Sequence, residues 1–156
     1  VAFSTGTITG AAVTGFTAPL YATVVDQSDI SSKSFIVNGL VSGTAPGTVT
    51  FHTITSPFST LIRRAARLQA LSIKFLNGIT GKYTKVPRNP YSIVTRKGVS
   101  IQNGQVETML IRTTIEVPAG AESFDLANVR AGLSAHCGFV FAQADGAATT
   151  TSNGIL

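Results

Sequence analysis

The chain has 156 residues, of which 44% are apolar and 12% charged, with a formal charge of +5. Such a length suits a single domain over residues 1–156, and charged residues run at about half the roughly 25% usual in soluble domains, so much surface is expected to be shared between copies. No run nears the roughly 20 apolar residues of a membrane span, no secretion leader is expected, and the lone Cys137 excludes an internal disulfide and fits a reducing compartment.

Segments rich in Val, Ile, Thr and Phe predict strands over residues 2–9, 21–25, 34–37, 48–55, 67–75 and 108–117. Turn signals lie between them: Asn38 with Gly39, the APG run at 45–47, Ser56 with Pro57, and Asn77 with Gly78. Short turns of this kind suit an antiparallel meander. The N-terminal strands take residues 1–47, and the central and last strands take 48–120 with a long loop over 76–106. In 67–75, Gln69, Leu71, Ile73 and Phe75 share one face. In 108–117, Met109, Ile111, Thr113, Ile115 and Val117 do, because strand side chains alternate. Asp26 and Asp29 read as turn formers rather than a catalytic pair. The loop over 76–106 has room for an extra hairpin packed by Tyr83, Tyr91, Ile93 and Val99.

Beyond Pro118 the period changes. Leu126, Val129, Leu133, Cys137 and Val140 recur at spacings of three and four, which predicts an amphipathic helix over residues 123–141, capped by Ser123 and with Asp125 at its positive end. Cys137 then falls on the buried stripe. The tail from Ala142 is rich in small residues. The expected class is α+β: an antiparallel sheet of about six strands with one long C-terminal helix packing on one face. One helix, roughly 10 Å wide, cannot cover a broad sheet, so dimerisation is expected to complete the core.

Charge is concentrated in the middle of the chain. Residues 61–112 hold Arg63, Arg64, Arg67, Lys74, Lys82, Lys85, Arg88, Arg96, Lys97 and Arg112 against Glu107 alone, a local charge of +9, whereas residues 1–60 carry −1 and 113–156 carry −3. A concentrated positive field attracts a polyanion and releases its counterions, so nucleic acid is the natural partner, with a merely solvated basic face as the alternative. No nucleotide-binding, zinc-protease, paired-cysteine or hydrolase motif occurs, and neither His52 nor His136 belongs to a cluster at metal-ligand spacing. No catalytic residue, metal or cofactor is expected.

The ordered set TVTFHTITSP (48–57), IRRAARLQALSIKF (62–75), TMLIRTTIEVPAG (108–120) and SFDLANVRAGLSAHCGFVF (123–141), ending in NGIL, resembles the levivirus-type coat proteins of single-stranded RNA phages. The resemblance covers residues 48–156 well and the first third in character only. It implies a homodimer whose sheets join, helices from both copies over the outer face, and RNA against the inner one. It further implies an icosahedral T=3 virion shell that self-assembles in the bacterial host cytoplasm around single-stranded RNA, with possible translational repression through an RNA hairpin. Carried over by position, the implied RNA-binding residues are Thr53, Thr55, Arg63, Arg64, Arg67, Ser72, Lys74, Arg112 and Thr114, with Arg63, Arg64 and Arg67 placed on the family's basic turn, although for the threonines ordinary β-propensity is an equal reading. Residues 76–106 depart from the family in being longer than its usual loop, and their tip, with Lys97, Gly98, Gln102, Asn103 and Gly104, is expected to meet neighbouring subunits around the symmetry axes. Leu126, Val129, Leu133, Cys137 and Val140 form the dimer and core stripe. Residues 82–84 offer a competing register that would place Lys82 and Thr84 on the RNA face. Two other readings remain: a non-assembling RNA- or DNA-binding module, and a surface or fibre subunit without nucleic acid. The polycation argues against the latter, and the apolar surface a monomer would expose argues against the former.

Overall fold

The computed structural model describes residues 6–156. Six strands form one antiparallel sheet in chain order: β1 (Gly6–Thr9), β2 (Thr17–Ser28), β3 (Ser32–Thr44), β4 (Phe58–Arg64), β5 (Arg88–Gln102) and β6 (Gln105–Pro118). Three helices follow: α1 (Ala121–Phe124), α2 (Leu126–Ala142) and α3 (Ala144–Asn153). The α+β class and the meander agree with the alternation and turn chemistry of the sequence. The expected strands over 21–25, 34–37 and 108–117 are the interiors of β2, β3 and β6. The first part of the expected strand over 2–9 lies outside the described residues.

Five expectations are corrected. Residues 48–55 do not form a strand: Val49 N donates to Pro46 O and Thr53 N to Ser56 O, both at 3.0 Å, which are turn bonds rather than a ladder, and side chains of the segment cap the amides that follow it. Ser56 N donates to Thr53 Oγ1 at 3.0 Å, and Phe58 N donates to His52 Nδ1 at 3.1 Å. Residues 67–75 are likewise irregular and end in a 3-10 turn at Ile73–Phe75. The expected loop over 76–106 contains the fifteen-residue β5, and the basic segment after Ile62 is not a turn but the end of β4. Asn38 and Gly39 lie within β3, where Gly39 pairs with Ala22.

The hairpin between β5 and β6 closes through Asn103 and Gly104, with Gly104 at φ +81°, a conformation that costs glycine little. At the opposite end of the sheet, the long β4–β5 connection is fastened by Asn89, which is only 1% exposed. Its Oδ1 accepts from Gln69 N at 2.7 Å and its Nδ2 donates to Gln69 O at 3.0 Å, so one amide side chain does the work of a strand partner. Asn89→Ala is expected to destabilise the fold by about 1–3 kcal/mol, because two part-buried hydrogen bonds to the Gln69 backbone are lost. Urea denaturation measures this, and a loss below about 0.5 kcal/mol would show that water replaces the amide.

Little of the apolar content is buried. Phe35, Val37, Ala119 and Pro19 are the buried apolar side chains larger than glycine among the described residues, and α2 buries none. The accessible surface is 11014 Å², whereas a folded monomer of 16.2 kDa is expected to expose about 7,500 Å².

The helix also departs from its predicted form. Asp125, not Ser123, caps α2 by accepting from Asn128 N at 3.3 Å, while Ser123 Oγ donates back to Gly120 O at 3.1 Å within α1. The tail is helical as α3. Phe139 and Phe141 are exposed to either side of Val140, so apolar residues are not confined to one stripe, and Cys137 is exposed rather than buried.

Candidate nucleic-acid interface

Pairing register sorts the side chains of the sheet onto two faces. Thr60, Thr95 and Ile111 form one cross-strand row, and Ile62, Ile93 and Thr113 the next. With Phe35 opposite Thr60 and Tyr91 opposite Ile115, this is the apolar face. The other face carries the rows Arg63–Ser92–Thr114, Leu61–Val94–Arg112 and Ser59–Arg96–Leu110. Its three arginines come from three adjacent strands and occupy three successive rows. None therefore sits directly opposite another, where like charges would repel.

Arg63, Arg96 and Arg112 surround a shallow concavity of about 670 Å³ floored by Leu61, Val94 and Leu110. Asp26 and His52 complete its rim. Asp26 accepts from Ser34 Oγ at 3.0 Å from within β2, and is not the turn former expected. All three guanidinium groups belong to exposed residues. Chemically, the surface offers fork-shaped donors for phosphate oxygens above an apolar floor on which a base could rest.

The structure brings Arg63, Arg112 and Thr114 together and separates the remaining implied RNA-binding residues from them. Arg64 points to the apolar side, where Nε donates to Ile30 O and Nη1 to Ala65 O, both at 3.2 Å. Arg67, Ser72 and Lys74 lie in the β4–β5 connection, not on a strand. Thr53 and Thr55 belong to the 48–57 loop, their hydroxyls 3.4 Å apart. Lys82 and Thr84 of the competing register also fall in the β4–β5 connection, outside the sheet. Arg96 was not anticipated on this face; the alternation of Ser92, Val94 and Arg96 in the β-rich run that became β5 is the signal that marks it.

The expected inter-subunit loop also divides. Gln102, Asn103 and Gly104 lie at the β5–β6 tip, where Gln102 Nε2 donates to Gln105 Oε1 at 3.0 Å. Lys97 and Gly98 instead sit inside β5 and hold the 48–57 loop. Lys97 Nζ donates to Thr50 Oγ1 at 3.2 Å and lies 5.1 Å from the Phe58 ring centroid, and its partial burial lowers its pKa. A Cβ on Gly98 would come within 2.7 Å of Ser56 Cα, so only glycine fits there.

On the apolar face, α2 stands off from the sheet. Val129 and Leu133 look across a cleft of about 510 Å³ toward Ile62, Ile93, Ile115 and Val117. The far end of the helical segment is pinned at Asp145, whose Oδ1 accepts from Thr14 N at 2.6 Å and from Thr14 Oγ1 at 2.9 Å. These two bonds, the backbone one first, lower the Asp145 pKa. The stripe residues Leu126, Cys137 and Val140 are exposed in the single chain. β6 presents a second open surface: among the described residues it pairs with β5 alone, leaving fourteen residues as a free sheet edge.

No family model and no curated protein matches the chain. Among solved structures, the chain of the virus-like particle of bacteriophage ESE020 is 37% identical, with a TM-score of 0.89 and 100% of both chains covered. Agreement of that extent carries a structural rather than an enzymatic role and places the chain in a phage particle. With the six-stranded sheet and the trailing helices shared over their full length, the chain belongs to the same family as that particle's protein, a family of bacteriophage capsid proteins.

Proposed function

We propose that the protein is a levivirus-type coat subunit of a single-stranded RNA phage that works as an intertwined homodimer and packages RNA on its arginine-bearing face. The observation that carries the dimer is the surplus of about 3,500 Å² of accessible surface over a compact monomer. Counted over two copies, that excess is about 7,000 Å², at or beyond the upper end of obligate interfaces. The cleft beneath α2 and the free edge of β6 are two surfaces that a second copy would cover. A partner's helix fills the cleft, and the two β6 strands pair edge to edge, which removes an exposed strand edge that soluble proteins otherwise protect.

RNA packaging rests on Arg63, Arg96 and Arg112, with Ser59, Ser92, Thr108 and Thr114 as hydroxyl donors around them. Edge pairing of two copies doubles this face into one continuous basic surface. The face opposite the helices then looks into an icosahedral shell, of T=3 type by resemblance, assembled in the host cytoplasm. Binding of one particular RNA hairpin belongs to the same proposal and needs base readout from the concavity.

Expression of the chain in bacteria, followed by size exclusion and negative-stain electron microscopy, tests the reading. Uniform spherical particles with a nucleic-acid absorbance ratio are expected. A stable monomer free of nucleic acid would overturn it.

A further inference from the structure

The β4–β5 connection, residues 65–87, is not needed to join two adjacent strands and has structure of its own. Within it, Leu76 bridges Tyr83, Asn77 N donates to Lys82 O and Thr84 N to Phe75 O, both at 2.8 Å. The Asn77 side chain accepts from the amides of Ile79 and Thr80 at 2.9 and 3.2 Å, and Lys85 Nζ lies 5.5 Å from the Phe75 ring centroid. The result is a small preformed hairpin. Its apolar side chains are nevertheless turned outward: Ile79 is 97% exposed and Ile73 80%, and Phe75, Leu76, Tyr83 and Val86 are also exposed. Because the segment is already ordered, docking it costs less entropy than docking a floppy loop of the same length.

Charge identifies what covers it. The hairpin carries Lys74, Lys82 and Lys85, and no acidic residue occurs between Asp29 and Glu107. Four of the seven acids, Glu116, Glu122, Asp125 and Asp145, lie in the C-terminal residues 113–156. In an assembly of identical chains, a surface that does not pair with itself must meet a different surface of a neighbouring copy. A basic apolar tip and an acidic C-terminal segment on one chain supply such a complementary pair.

We propose that the hairpin over residues 72–86 is a contact between neighbouring copies in the particle. Ile73 and Ile79 seat against another copy, and the three lysines face its acidic C-terminal segment. This rests on the assembly reading above; the hairpin itself lies outside β6 and the α2 cleft, so truncating Ile73 and Ile79 spares the dimer.

The test compares the full chain with an Ile73→Ser/Ile79→Ser variant by size exclusion, light scattering and electron microscopy. Wild type that forms no particles would refute the assembly reading itself. With wild-type particles in hand, the variant is expected to retain the dimer and its circular dichroism while particle yield falls about tenfold or more, as for loss of interface anchors. Wild-type particle yield from the variant would overturn the proposal. A second measurement guards against misfolding: Ile79→Cys in a Cys137→Ser background is labelled with a maleimide. Labelling about tenfold slower in particles than in dissociated dimers supports burial by a neighbour, and equal rates overturn it.

Discussion

Exchanging Arg63, Arg96 and Arg112 together for glutamine is expected to leave shells that form but hold little RNA. Each phosphate contact to a single strand contributes, through counterion release, a factor of about four at 0.15 M salt, so losing three weakens binding about 50-fold and lowers the salt slope by about two. Fluorescence anisotropy with a single-stranded RNA over a salt series reads both quantities on the dimer, and the absorbance ratio of purified particles reads the consequence. The control is Arg64→Gln with Arg67→Gln and Lys74→Gln. It removes the same charge from residues that the fold places away from the arginine rows. If the control weakens binding as much as the triple variant, the interface is diffuse positive charge and not this face. Unchanged binding in the triple variant would remove RNA packaging from the sheet altogether.

The second large effect concerns the helix. Leu133→Asp is expected to abolish the soluble folded protein, because a second copy's apolar surface would have to close over an unpaired carboxylate, at a cost of about 3–5 kcal/mol per site. Total stabilities of 5–15 kcal/mol leave little margin for two such sites in one dimer. In a free-standing monomer the same partly buried position, facing an open cleft, would lose only about 1 kcal/mol. Urea denaturation of the wild type at two protein concentrations separates the cases. An intertwined dimer gains about 1.4 kcal/mol of apparent stability per tenfold rise in concentration, whereas a monomer gains none. A concentration-independent midpoint together with a folded Leu133→Asp chain would exclude the dimer.

How far these features were legible in the sequence depended on whether local chemistry or tertiary context decided them. Residues 108–117 alternate without interruption, and Leu126, Val129 and Leu133 keep helical spacing, so β6 and α2 could be read directly. Residues 48–55 and 67–75 are just as rich in strand formers, but Asn89 captures the Gln69 amide, and Thr53 and His52 take the amides of Ser56 and Phe58 to close the loop, and no local pattern announces that. β4 was hidden for the opposite reason. Its Arg63 and Arg64 read as a basic turn, although Phe58, Thr60 and Ile62 alternate with Ser59 and Leu61 as a strand requires. Misplacing β4 and β5 cost the candidate face Arg96, while Arg63 and Arg112 were found through resemblance by position. The exposed state of Cys137 was illegible because an apolar stripe does not say whose surface buries it.

The sparse interior of the single chain bears on timing. If the core is completed only when two copies meet, productive folding is second order in newly made chain and stays slow until synthesis has raised its concentration. RNA binding by the paired sheets would then rise with roughly the square of subunit abundance at low expression. A phage using such a subunit would have its genome left free for translation early and withdrawn into shells late, with the delay set by the open cleft beneath α2 and not by any separate regulator.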